Sequence, residues 1–397
     1  MAPDAAALES LESLVQTACA LLKQLQDVLG QIRNSPDAGP SSSSTPATSS
    51  SSSSASTSPL DALALARDSA TLIRAHATKV SLLLINEPFT PSAVSSVLRE
   101  LVAGPIPGLV ASVQACDPSG YTLVFRNELA WRCQRVLAEL AELLQRIPKD
   151  GKVLKKEKEG FGGGKGSIAS TGVLWAACDK VCALANGGVG GFFVDKMGEW
   201  KDTLSDIMEE MKEWGDEEPD EDEDDDEEDE DDDGVSDLAD QVGSTHISTQ
   251  NILDDLMNSH RSIPAADPDR IRPRLESSLR RLRLVILLYQ AITKRRMKKL
   301  PPFPPQQTTT SSSKNDDVAK VPRRLDELAA LLQKLPDRFG DLACAFYDLR
   351  PSEIDEAMDQ CFLDAFAVSE LLGEAWDGQR DEFTEWTDKF QREIKKA

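Results

Sequence analysis

Apolar residues recur three and four apart along most of the chain, and that spacing predicts helices. In the first stretch Leu8, Leu11, Val15, Ala18, Leu22, Leu25, Leu29 and Ile32 form one seam, which Leu14, Leu21 and Val28 widen. A stripe this broad suits a helix packed inside a bundle better than a narrow zipper seam. A second helix is expected with Ser58 as its cap and Pro59 at its first position, burying Leu63, Ala66, Ala70, Ile73, Ala77, Val80 and Leu84. Thr90 and Pro91 repeat that signal for a third, which the glycines at 104–108 interrupt. A fourth covers about 122–147 through Leu129, Val136, Leu140 and Leu144. A fifth runs over about 168–185, breaks at the glycines of 186–191 and resumes through Phe193, Met197, Trp200, Leu204, Ile207, Met211 and Trp214.

The second half repeats the period. Ile271, Leu275, Leu279, Leu282, Ile286, Tyr289 and Ile292 make one long stripe, and Leu325, Leu328, Leu332 and Leu335 make another. Pro336 and Pro351 stand where new first turns should begin. Shorter stripes follow: Phe339, Leu342 and Phe346, then Ile354, Met358, Cys361, Ala365, Val368 and Leu372, then Phe383, Trp386, Phe390 and Ile394. No stretch alternates with period two, so the fold class is all-α, two helical bundles of about five helices each.

The intervening stretches have no such pattern. Residues 34–58 are Ser, Thr, Pro and Ala, 150–167 are rich in Gly and Lys, and 301–320 are rich in Pro and Ser. All three read as loops or flexible inserts. From Asp216 to Asp233 every residue but Pro219 is Asp or Glu, which supplies most of the net charge of −24. Carboxylates at this density repel one another and have no apolar face to bury, so the run is expected to be disordered. These shifts set an N-terminal bundle at 1–215, an acidic linker at 216–266 with a short helix near 249–257, and a C-terminal bundle at 267–397. Aromatics make up only 5% of the residues, and the Ala- and Leu-rich remainder favours helix over sheet.

Composition also bounds the setting. The start, MAPDAAALES, lacks a basic region followed by an apolar core, and the strongest apolar run, 284–288, is far too short to span a bilayer. Seven cysteines (Cys19, Cys116, Cys133, Cys178, Cys182, Cys344, Cys361) show no paired spacing, which suits small core residues in a reducing compartment. A soluble intracellular protein is expected.

Reactive chemistry finds no constellation. His76 lies within a helix, and His246 and His260 lie in polar connecting sequence. No Ser or Cys has a base nearby in sequence, and Cys178 and Cys182, one turn apart, lack the companions a zinc site needs. The GFGGGKG stretch at 160–166 fails as a phosphate loop, because Lys165 is followed by Gly166 and charged residues precede it. Asp229, Asp231, Asp233, Gly234 and Asp240 fit a calcium-loop spacing, but such spacing is nearly unavoidable in a polyanion, and diffuse cation binding is expected. No catalytic residue, cofactor or metal is expected.

Three charged features remain. Lys294, Arg295, Arg296, Lys298 and Lys299 read either as a nuclear import signal or as cations answering a helix C-terminal dipole. Lys298, Pro301 and Pro304 form a basic-proline pattern that proline-binding adaptor domains read, or else a stiff spacer. The acidic tract, including Asp216, Glu217, Glu218, Asp220 and Asp233, could screen the basic stretch 270–299 within the same chain.

The succession TGVLWAACDKVC at 171–182, then FFVDKMGEWKDTLSDIMEEMKEW and the acidic run, resembles the cyclin-D-interacting protein family. So does LDELAALLQKLPDRFGDLACAFYDLRP in the second half. The resemblance implies two bundles of the vinculin type. It also implies a nuclear and cytoplasmic regulator that binds D-type cyclins and signalling adaptors and restrains cell-cycle progression, without reading DNA. The function expected is thus a non-enzymatic protein-interaction scaffold of cell-cycle or transcriptional control; the alternative is an acidic chaperone for basic proteins such as histones. No membrane partner is expected.

Overall fold

The computed structural model describes residues 5–34, 61–153, 167–217, 262–304 and 312–396. The helices in the first two of these stretches are α1 (Ala5–Asn34), α2 (Ala62–Ile85), α3 (Pro91–Ala103), α4 (Pro105–Ala115), the single turn α5 (Pro118–Tyr121) and α6 (Leu123–Gln145). There follow α7 (Ser167–Asp216), α8 (Ile271–Arg295) with a short 3-10 turn at Met297–Lys299, α9 (Ser312–Tyr347), α10 (Pro351–Leu371) and α11 (Glu382–Lys396). No strand occurs among the described residues, so the fold is all-α. The described chain divides into two compact units. One holds 1–196, 296–329 and 376–379, and the other 197–295, 330–375 and 380–397. Residues 296–329 and 376–379, assigned to the C-terminal bundle by their place in the sequence, therefore cluster with the first unit. The expected acidic linker, the short helix near 249–257 and the Gly160–Gly166 loop lie outside the described residues, apart from Asp216, Glu217 and the linker's end at 262–266.

In the first unit α1 lies mainly against α6 and then α3, while α2 packs on α4. The second helix begins later than Ser58 and Pro59 suggested. Asp61 is its cap, and one carboxylate oxygen accepts the amides of Leu63 and Ala64. An Asp directly before the apolar stripe serves two orphan amides at once. Thr90 and Pro91 do open α3. The expected break at 104–108 narrows to Gly104, since Gly108 lies inside α4. A β-carbon on Gly108 would sit 2.7 Å from the Ser69 hydroxyl, so the glycine lets α4 approach α2. In α7 the predicted interruption is Gly188, with φ 59° and ψ −165°, a conformation that glycine adopts without steric cost.

The start of α6 is fastened from a distance. Thr122, with φ 98°, caps Phe125 through its hydroxyl. Asp326 of α9 accepts the amides of Leu123 and Val124, each at 2.9 Å. Three of the four orphan donors of this helix are thereby paired. Elsewhere in the same unit the Trp376 indole donates to the Arg296 carbonyl at 2.9 Å, and Arg324 lies over the Trp376 ring.

In the second unit α8 packs against α10 and α11. Pro336 was expected to open a helix; instead it is buried in the interior of α9. A proline there removes the amide that would pair with the carbonyl four residues back, here Leu332. That carbonyl accepts the Tyr289 hydroxyl at 2.5 Å, so the group is satisfied from α8 and the helix continues. Pro351 opens α10 as expected. Trp214 closes the end of α7 against Phe346 and Tyr347, and Arg272 donates to the Gly215 carbonyl at 3.1 Å. Cations at a helix C-terminus answer both its free carbonyls and its dipole.

Two helical stretches of the first unit, Ala5–Asn34 and Pro91–Ala115, are long and apolar enough by composition to cross a membrane. Leucine, valine and alanine, interleaved with small polar residues, spread apolar character over several turns, which a search for short strongly apolar runs does not register. The apolar window is 50% buried in the second and only 17% buried in α1.

Candidate interaction surfaces

Large apolar side chains at the surface are the first feature a partner can use. In the first unit these are Leu72 and Leu82 on α2, at 49% and 50% exposure, and Trp131 on α6, at 43%. The buried face of α6 runs through Leu129, Cys133, Val136 and Leu140, and Trp131 falls off that line. It borders a surface hollow of about 200 Å³ shared with Arg132, Arg135, Val173, Ala177 and Lys180. Arg132 pairs with Glu128 at 2.7 Å and donates to the Lys180 carbonyl at 2.8 Å, while Arg135 pairs with Glu139 at 2.8 Å. Arg132 and Arg135 are thus held in place by ion pairs, and Trp131 and Lys180 line the hollow beside them. Trp and Arg in such a setting are the residue types that dominate partner affinity. Sequence reasoning missed Trp131. Its signal was an aromatic residue out of phase with the apolar stripe of its helix.

A second, more apolar hollow of about 350 Å³ runs along the N-terminal half of α1. Leu8, Leu11, Val15 and Cys19 line one side, and Leu144, Ile147 and Pro148 the other. Lys149 and Glu12 close its rim with a 2.8 Å ion pair.

The charged features expected from sequence are only partly available to a partner. Of the basic cluster, Lys294, Lys298 and Lys299 lie at the surface, Arg295 pairs with Glu382, and Arg296 is buried at 1% exposure. Within the wider basic stretch, Arg274 forms a two-pronged bridge to Asp355 at 2.8 and 2.9 Å, which holds that carboxyl below the usual range. Arg281 lies over Phe362. Cations at the surface in this part of the second unit include Arg270, Arg283 and Lys294. Pro304 is exposed and Pro301 half-buried, and Pro304 lies beside Gly120. Asp216 and Glu217 are exposed at the end of α7; Glu218, Asp220, Asp233 and the calcium-spaced residues lie outside the described residues.

The groups considered for chemistry are packed. Cys178 is buried and its thiol is pushed up to about 12 by burial, and Cys182 touches the Thr71 hydroxyl and the Arg67 carbonyl. A thiol so raised is a poor nucleophile. His76 sits with Nδ1 3.5 Å from a Glu100 carboxylate oxygen. Burial, with Lys79 in support, keeps its pKa below the ordinary value against the pull of Glu100. His246 and His260 lie outside the described residues.

Among the described residues these features define an all-helical protein with apolar and aromatic side chains exposed on its helix faces. Residues 66–217 match the family model described as Grap2 and cyclin-D-interacting, N-terminal, and this match supports membership of that family. Over 153 residues it is 26% identical to an uncharacterized protein of Schizosaccharomyces pombe, a match covering 38% of this chain and 44% of that relative. The match thus takes in less than half of the curated relative's length. No solved structure matches the chain.

Proposed function

We propose that this chain is a non-enzymatic docking protein that binds D-type cyclins and signalling adaptors in the nucleus and cytoplasm and so restrains cell-cycle progression or transcription. The observation that carries the reading is the Trp131 hollow, which lies within the family-matched residues 66–217. A partner helix with an apolar anchor for Trp131 and an acidic residue for Lys180 suits it. Calorimetric titration of the full chain with a D-type cyclin tests this. Trp131→Ala should weaken binding by about tenfold or more at an unchanged melting temperature. Absence of binding by the wild type, or full affinity in the variant, would sink the reading.

The acidic chaperone remains a second reading because seventeen of the eighteen residues at 216–233 are carboxylates. Deleting 218–233 separates the two. A chaperone should lose its basic clients, whereas a docking protein should keep its cyclin.

A further inference from the structure

The helix α1 packs along α6 but has fewer fully buried positions than α2, α4 or α6. Its fully buried positions are Leu11, Ala18, Leu22 and Leu29, which fall on one narrow line at steps of seven, four and seven. Leu8, Leu14, Val15, Leu21, Leu25, Val28 and Ile32 flank that line and are not fully covered. By contrast the shorter α2 buries nine positions. Only 17% of the apolar window of α1 is fully buried, its flanking apolar residues are half-buried, and the 350 Å³ hollow beside Leu8, Val15 and Cys19 is space that its side chains leave unfilled. Its side-chain ties to α6 and the residues just beyond it include Glu12 with Lys149, the Gln26 carbonyl with Gln134, and Arg33 with Gln134. The family match begins at residue 66, so α1 stands outside it, joined to α2 through residues 35–61.

We propose that α1 is a displaceable occupant of a groove formed by α3, α4 and α6, and that an amphipathic helix of a partner protein takes its place there. The proposal rests on the reading of the chain as an interaction protein and names a second docking surface on it. The seat itself specifies the partner. Its helix carries apolar residues at the seven-four-seven spacing of α1, a carboxylate where Glu12 meets Lys149, and a bulkier apolar group where Cys19 leaves the hollow open. Because α1 is tethered, its effective concentration at the groove is high, so a partner must either bind better or act when α1 is restrained elsewhere.

Two measurements on the full chain test this. In native-state hydrogen exchange, α1 amides should open at least about tenfold more readily than those of α2; equal protection in both helices overturns the proposal. In the second, a protease site is placed between residues 41 and 58 and cut, and fluorescent peptide 5–34 is added. The cut chain should exchange its α1 for the peptide, while the uncut chain takes up far less. Peptide bearing Leu11→Asp and Leu22→Asp should not enter, and peptide bearing Cys19→Leu should bind about fivefold more tightly because it fills the hollow. A cut chain that never exchanges overturns the proposal, as does one that unfolds when α1 leaves. Preference of the peptide for phosphatidylserine vesicles over the cut chain overturns it too, in favour of a lipid surface. No cyclin enters these measurements, so their failure and failure of the cyclin reading are separate results.

Discussion

At the scale of single residues, Tyr289 and Pro336 form a linked pair. The proline deletes an amide inside α9, and the tyrosine hydroxyl serves the carbonyl left over. Tyr289→Phe should therefore cost about 1–2 kcal/mol in urea unfolding, the usual effect of orphaning a buried acceptor. Adding Pro336→Ala restores an amide to that carbonyl, so the second change should be less harmful on top of Tyr289→Phe than in the wild type. A double-mutant cycle measures the difference, and strict additivity would refute the link. His76 makes a pH prediction. Its pKa in the folded chain lies below the ordinary 6.5, so the unfolded chain binds the proton more readily and acid favours unfolding. The stability tied to neutral His76 is whole above pH 6.5 and is lost as the pH falls below it. His76→Gln should then flatten the fall in stability between about pH 7 and pH 5, read by denaturant titration at each pH.

At the scale of elements, the helical period carried most of the information. The stripes of α2, α6, α8 and α10 coincide with their buried faces because burial at every third or fourth position is what holds each of them. Features set by residues far away in sequence were not legible. Pro336 looked like a helix start because its hydrogen-bond substitute lies in α8. The five-residue basic cluster was read as one unit because nothing local signals that Arg296 is buried. Trp131 went unnoticed as a candidate because one exposed aromatic does not disturb an apolar stripe. Ser58 and Asp61 are both competent caps, and only the position of the apolar face decides between them. The clasp of Asp326 on α6 belongs here as well. Its carboxylate pairs two amides at the open end of that helix, so Asp326→Ala should destabilise the fold by about 1–2 kcal/mol in denaturant titration. Asp326→Asn, which retains one acceptor oxygen, should recover part of that loss.

At the scale of the whole molecule, each compact unit is assembled from three separated stretches of chain. A fragment ending at residue 217 keeps all of the family match but loses residues 296–329 and 376–379 of the first unit. Thermal unfolding followed by circular dichroism should show that fragment melting at least about 5 °C below the first transition of the full chain. Supplying the missing segments in trans should recover part of the difference. A fragment as stable as the parent would show those segments to be dispensable.

The bond from Asp326 to the amides of Leu123 and Val124 spans about half the chain. During synthesis the ribosome releases the first helices long before their clasp exists, and Trp376 emerges later still. For that interval the nascent N-terminal helices wait unfinished, with apolar faces open to chaperones or to another chain. Completion of the first unit is therefore timed by a late part of the message, not by the first.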